Sequence, residues 1–336
     1  MNLNTKFTRG QLGGFAAELQ AISAKIGFKV SARGWCYLLE QSRLINKDQF
    51  DKVEGVINRC RRLGILPVDF IAEEDARAFH GVETKSDGTV EDTLKWMLKD
   101  VLDGHRYYTP DWWDGEKFYI QMLVEKIDLK TLFEPVCSQY HIPIANSKGW
   151  SSILQRAEYA RRFSEAEDRG LRCALLYCGD HDPDGLRISS TLRANLEQIT
   201  DIEWDDGTRG YDPVNLEIRR FGLNYDFIAE RGYAWIDNLI TGSGKNLASP
   251  SHPNFRLPYL QQYLKTIGAR KCEANAIVTT PDAARTLCRQ AIESLIGTGA
   301  RNRFAVKREL VKQDYAAVLA KSGLSKAISK ALKNGA

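Results

Sequence analysis

The segment Leu171-Arg172-Cys173-Ala174-Leu175-Leu176-Tyr177-Cys178-Gly179-Asp180-His181-Asp182-Pro183-Asp184-Gly185 carries most of the architectural information in this chain. Its first eight residues are mostly apolar, as in a strand of a covered sheet. Three aspartates follow, and Pro183 and Gly185 turn the chain into a helix expected over Leu186–Gln198. Outward from this point strands and helices alternate. Phe118–Val124 reads as a strand, Leu129–Tyr140 as a helix, Ile142–Ala145 as a short strand, Ser151–Ala166 as a helix and Leu216–Phe221 as a strand. This order predicts an α/β fold with a parallel sheet and helices on its faces.

Ligands of open parallel sheets gather beyond the carboxyl ends of the strands. Two expected strands end there in carboxylates, one at Glu125 and one at Asp180 and Asp182. The two aspartates are two apart in extended chain, so their side chains can point the same way. Such a cluster repels itself unless a cation intervenes, and hard oxygen ligands favour magnesium, with manganese as the alternative ion. Asp184, His181, Lys126 and Lys148 are further candidates for metal or phosphate contact. Asp180, Asp182, Asp184 and Gly185 also match the start of a calcium loop, but Thr191 stands where that loop needs glutamate. A plain acidic loop would leave the strand-end Glu125 unexplained.

Ahead of this region, helical periodicity runs through Phe15, Leu19, Ile22 and Ile26, with two further helices expected after Ser31 and after Asp48. The third carries Arg59, Arg61 and Arg62 near its end, where Gly64 and Pro67 close it. Three short helices with a basic last one suit a winged-helix or helix-turn-helix module that meets DNA, and equally a generic helical cap domain. A helix is expected at Val90–Leu102, then a loop holding Trp112 and Trp113, which fit either base stacking or a buried aromatic junction. The expected organisation is a winged-helix-like domain over 1–110, a metal-binding sheet domain over 111–298 and a basic helical segment over 299–336. That last segment carries nine Lys/Arg from Arg301 onward against Glu309 and Asp314, a distribution suited to a polyanion or to a solvated helical face.

The net charge of +4 over 336 residues says little by itself. The seven cysteines include no C-x-x-C pair, which argues against zinc and a disulfide framework. No apolar run is long enough to span a membrane, and Met1–Gly10 does not resemble a secretory signal. An intracellular, nucleoid-associated protein is expected.

Glu125 followed by Asp180-His181-Asp182-Pro183-Asp184-Gly185 resembles the metal site of Toprim domains, found in topoisomerases, primases and some nucleases. More narrowly, the chain resembles the family of the topoisomerase VI A subunit and the meiotic double-strand-break protein, in its bacterial and phage forms. Arg33-Gly34-Trp35-Cys36-Tyr37 is similar to that family's R-x-x-Y-Y segment, with the second tyrosine kept as Tyr37 and the first replaced by Cys36. Arg61-Arg62-Leu63-Gly64 and Ser147-Lys148-Gly149-Trp150 add to the likeness. So does Glu273-Ala274-Asn275-Ala276, where Asn275 stands for the family's aspartate. The likeness extends over roughly residues 30 to 295.

The resemblance implies magnesium-dependent DNA strand cleavage. Tyr37, assisted by Arg33, would attack a phosphodiester and form a phosphotyrosyl link, with Glu125, Asp180 and Asp182 as metal ligands. It also implies a homodimer, in which one subunit's tyrosine meets the other's metal site. The chain has no G-x-x-x-x-G-K-[ST] segment, so strand passage would require a separate ATPase partner. Two alternatives stand beside this: a hydrolytic Toprim nuclease in which Tyr37 is structural, and a DNA-binding subunit without chemistry.

Overall fold

The computed structural model describes residues 7–72, 81, 83, 85–147, 152–241 and 244–333. The chain forms two compact units, and both are discontinuous in sequence. The first contains Met1–Glu73 and Lys117–Leu295, the second Glu74–Glu116 and Ile296–Ala336. This differs from the boundaries expected at 110 and 298. The N-terminal helices share a unit with the sheet, whereas the segment before the sheet joins the C-terminal helices.

The first unit opens with α1 (Arg9–Ile26), α2 (Ala32–Gln41) and α3 (Phe50–Arg62). Ser31 caps α2, its hydroxyl accepting the Gly34 N–H at 3.0 Å. Trp35, Cys36, Leu38 and Leu39 form the buried face of α2. At the end of α3, Arg59, Arg61 and Arg62 oppose the helix dipole favourably. Among the described residues the only sheet-like pairing of this segment is an isolated bridge between Ser31 and Ala72.

Four strands make one parallel sheet: β1 (Phe118–Val124), β2 (Ile144–Asn146), β3 (Arg172–Cys178) and β4 (Glu217–Arg220), in the order β2-β1-β3-β4. The α/β class expected from sequence is therefore observed. The chain leaves β1 toward β2 on one side, then crosses back to β3 on the other. Right-handed crossovers in opposite directions put the connecting helices on opposite faces. The side chains agree. Met122 meets Cys137 of α5 (Ile127–Gln139) and Cys288 of α10 (Pro281–Ile296). The neighbouring Gln121 instead donates to the Tyr159 carbonyl of α6 (Ile153–Asp168) at 3.0 Å. The helix α7 (Ile188–Glu197) follows β3 and packs on β4.

The reversal of strand order falls between β1 and β3, the place where an open α/β sheet forms its ligand crevice. Two more helices, α8 (Tyr225–Arg231) and α9 (Pro258–Thr266), follow β4.

The second unit consists of α4 (Val90–Leu102), α11 (Ala300–Lys321) and α12 (Leu324–Lys333), with a 3-10 turn at Gly104–Tyr107. The Tyr315 hydroxyl of α11 donates to the Val101 carbonyl at 2.6 Å. Trp112 and Trp113 are buried, and Trp112 packs on Phe304 at 4.6 Å, so the aromatic pair is a junction and not an open stacking surface. Two cations of the basic segment are used internally. Arg303 forks onto Glu116 at 2.8 and 2.6 Å, and Lys307 binds the carbonyls of Asp111 and Trp112 at 3.0 and 3.1 Å. Among the described residues no helix is long and apolar enough to cross a membrane.

Candidate functional site

Glu125 extends the β1–β3 ladder by one bond, its N–H donating to the Cys178 carbonyl at 2.9 Å. This fixes its carboxylate over the start of the aspartate loop. There one oxygen accepts the Asp180 N–H at 2.7 Å and the Tyr177 hydroxyl at 3.3 Å. Asp180 is buried and accepts the Ala274 N–H at 2.6 Å. Asp182 turns back on its own loop to accept the Gly185 N–H at 2.6 Å. A side chain at Gly185 would overlap the Asp180 carbonyl, so the turn requires glycine.

Two features beyond the three carboxylates organise the cluster. The first is Lys126 with Glu273 and Lys271. The Lys126 ammonium lies 3.1 Å from Asp180, 3.3 Å from Glu125 and 3.6 Å from Glu273. Glu273 is bridged in turn by Lys271 at 2.8 Å. Burial opposes charge on Lys126, yet Asp180, Glu125 and Glu273 together hold its pKa well above the ordinary lysine value. Burial and the neighbouring Glu125 push Asp180 well above the carboxylate range. For Glu125 and Glu273 burial is outweighed by Lys126, so both are lowered, Glu273 to about 2 with help from Lys271. Asp182 is raised, mainly by burial.

The second is Arg220, at the end of β4. Its guanidinium binds the carbonyls of Gly179 at 3.0 Å, Asp180 at 2.7 Å, Gly185 at 3.2 Å and Gly222 at 2.9 Å, together with Asn224 at 3.0 Å. It pins the aspartate loop from below. The strand-end rule that singled out Glu125 and Asp180 applies equally to Arg220. Glu273 lay in a segment of noted resemblance without a role, and nothing local marked Lys271.

His181 is another anchor. It is buried, its Nδ1 is 2.5 Å from the Leu223 carbonyl, and its backbone pairs with Cys272. Burial lowers its pKa, which favours a neutral ring. It does not line the open cleft beside the cluster, where an acid or phosphate contact would have to be. That cleft, about 430 Å³, is lined by Glu125, Asp182, Asp184, Ser147, Thr191 and Arg187, among others. Asp184 is exposed and accepts the Tyr259 hydroxyl at 3.0 Å. Lys148 lies outside the described residues.

Tyr37 comes to the same cluster from the other side. The Lys126 ammonium stands 5.4 Å from its ring centroid, and Phe50 packs edge-on at 5.1 Å. Burial raises the phenol's pKa, while Lys126 and Arg33 work against that rise. The neighbouring Cys36 is buried against the Phe50 carbonyl, and burial pushes its thiol up to about 12. Arg33 lies over the Phe50 ring at 4.9 Å and pairs with Asp51 at 3.2 Å and Glu54 at 3.1 Å. Arg61 is occupied by the Val68 carbonyl at 2.7 Å and Asn58 at 3.0 Å, whereas Arg59 and Arg62 are exposed.

Among the described residues, no three His, Cys, Asp or Glu side chains form a group arranged to hold a metal ion. The three carboxylates offer hard oxygen donors, the kind magnesium takes, with the Lys126 ammonium lying between Glu125 and Asp180. Glu125 and Asp182 face the cleft, and Lys126 supplies the positive charge that steadies the cluster. Comparison of the chain with family models, curated proteins and solved structures finds no match.

Proposed function

We propose that this protein cuts DNA strands in a magnesium-dependent reaction at the Glu125–Asp180–Asp182 cluster, with Tyr37 as the nucleophile. One observation carries the reading. A tyrosine from an N-terminal helix and carboxylates from two strand ends, distant in sequence, meet through Lys126 at the switch point of a parallel sheet. In this reading the sheet region is a Toprim domain and α1–α3 a winged-helix-like DNA-docking element, with Arg59 and Arg62 meeting the phosphate backbone.

Glu125, Asp182 and Asp180 would hold the magnesium ion, with manganese as the alternative. When bound, the ion supplies charge neutralisation at the phosphate. The Tyr37 oxygen loses its proton to solvent and bonds to phosphorus. The phosphorus–deoxyribose oxygen bond breaks, and the released alkoxide takes a proton. Lys126, beside the ring, favours the phenolate. The phosphotyrosyl link conserves the bond for resealing. Because Tyr37 meets the cluster of its own chain, a second copy is not needed to join them; a homodimer would serve to cut both strands. An ATPase partner would be required only for strand passage, and an intracellular setting follows from the substrate.

A second reading, hydrolytic cleavage, is favoured by the cleft itself, which Glu125 and Asp182 line and Tyr37 does not. Supercoiled plasmid incubated with protein and magnesium, then denatured in detergent, separates the two. Cut DNA that enters a gel only after protease digestion, and is lost in Tyr37→Phe and Asp180→Ala, supports the covalent route. Free ends with Tyr37→Phe still active support hydrolysis. Loss of every metal effect, with DNA binding kept, supports a binding subunit.

A further inference from the structure

The cleft beside the carboxylates contains a cation to which the resemblance gives no role. Arg187 follows the aspartate loop and is exposed, and among the described residues no carboxylate pairs with it. Its guanidinium lies 4.2 Å from the centroid of the Tyr259 ring. The Tyr259 hydroxyl is held in turn by Asp184 at 3.0 Å, and Asp184 lines the same cleft. The arrangement is a clamp. Asp184 holds the ring through its hydroxyl, and the guanidinium rests against that ring at the cleft wall. An arginine held against a ring loses little freedom on binding, and its fork matches two oxygens of one phosphate. The rest of the cleft is acidic or neutral: Glu125, Asp182, Ser147 and Thr191. An anion entering it has one strong partner.

We infer that Arg187 is the phosphate-binding residue of this cleft, taking a non-bridging pair of oxygens from a nucleic-acid phosphodiester, and that Tyr259 is its positioning residue. This rests on the proposed function for the identity of the ligand, but the contact itself needs only a phosphate. Arg187 would hold a phosphate of the bound strand in the cleft beside Glu125 and Asp182, where among the described residues no other cation lines the wall.

The test is binding in EDTA, where nothing is cut, of a fluorescent single-stranded oligothymidylate to the full chain, followed by anisotropy over a range of salt. Arg187→Gln should weaken binding about tenfold, the loss of one charge-assisted contact, and should reduce the salt slope by about 0.7, one single-strand phosphate. Arg187→Lys should restore the slope but only part of the affinity. Tyr259→Leu should lose affinity with the salt slope kept, and Tyr259→Phe, which keeps the ring but loses the Asp184 bond, should fall between it and wild type. A methylphosphonate oligothymidylate, which has no backbone charge, should not distinguish Arg187→Gln from wild type. Unchanged affinity and slope in Arg187→Gln would overturn the assignment, as would a wild type that binds no oligothymidylate. If Arg187-dependent binding is found in a protein that cuts nothing with magnesium, the phosphate contact stands and the proposed function fails. If cutting is found with Arg187→Gln indistinguishable in binding, the reverse holds.

Discussion

At the residue scale the site depends on close approach and on charge placed in a poorly solvated cluster. Gly34, in the first turn of α2, lies so near the buried Asp128 that a methyl group would overlap its carboxylate. That carboxylate, in the first turn of α5, accepts the Ser31 N–H at 2.9 Å and so ties the start of α2 to α5. Gly34→Ala is therefore expected to cost about 2 kcal/mol by overpacking, measured by urea unfolding. Asn275 donates to the same carboxylate at 3.4 Å, where an acid in its place would be repelled. Glu273 gives a pH prediction. Lys126 and Lys271 outweigh burial and lower it to about 2. A carboxyl whose pKa is depressed on folding contributes stability above its unfolded pKa and loses it as pH falls toward the folded value. Wild type should thus exceed Glu273→Gln by about 3 kcal/mol near neutral pH. The gap should close between the unfolded value, roughly 4.3, and about 2, as read from denaturation curves at successive pH values.

At the element scale the aspartate loop is shaped by the elements around it. Arg220 reaches from β4 to three of its carbonyls, and its hydrogen bonds substitute for a ladder that the loop cannot make. A lysine there keeps the charge but cannot fork. Arg220→Lys should lose about 2 kcal/mol and should speed hydrogen exchange at the Gly185 amide, which Asp182 holds; unchanged protection there would refute the pin. Much of this level was legible in the sequence. β1 is observed at the expected Phe118–Val124 and β3 one residue inside its expected bounds, because long apolar runs ended by charge or glycine leave little choice. Glu125, Asp180 and Asp182 were legible for the same reason, as strand ends. Arg187 and Lys271 were not, since nothing local tells a lysine or arginine which distant carboxylate, carbonyl or ring it will meet. His181 is held within its loop by the packing of Trp235 at 5.5 Å and by the Leu223 carbonyl, contacts that loop position alone does not reveal.

At the scale of the whole molecule, the chain passes twice through each of its two units. Composition marked a change of character near residue 110, but affiliation is decided by long-range contacts. Ser31 binds Asp128, and Gln41 reaches the Ala234 carbonyl at 3.0 Å, so the first helices belong with the sheet. Arg303 and Glu116 likewise tie the second unit's two segments together. The functional consequence lies in the first unit, which alone contains Tyr37, Lys126, the strand-end carboxylates and the Arg187 cleft. The most direct test of the central claim is to trap the reaction of wild-type protein with DNA and magnesium in detergent, digest with nuclease and trypsin, and weigh the peptides. The account predicts a nucleotide on the Gly34–Arg43 peptide, at Tyr37, absent when Asp180 is alanine. Efficient cutting with that peptide recovered unmodified would contradict it.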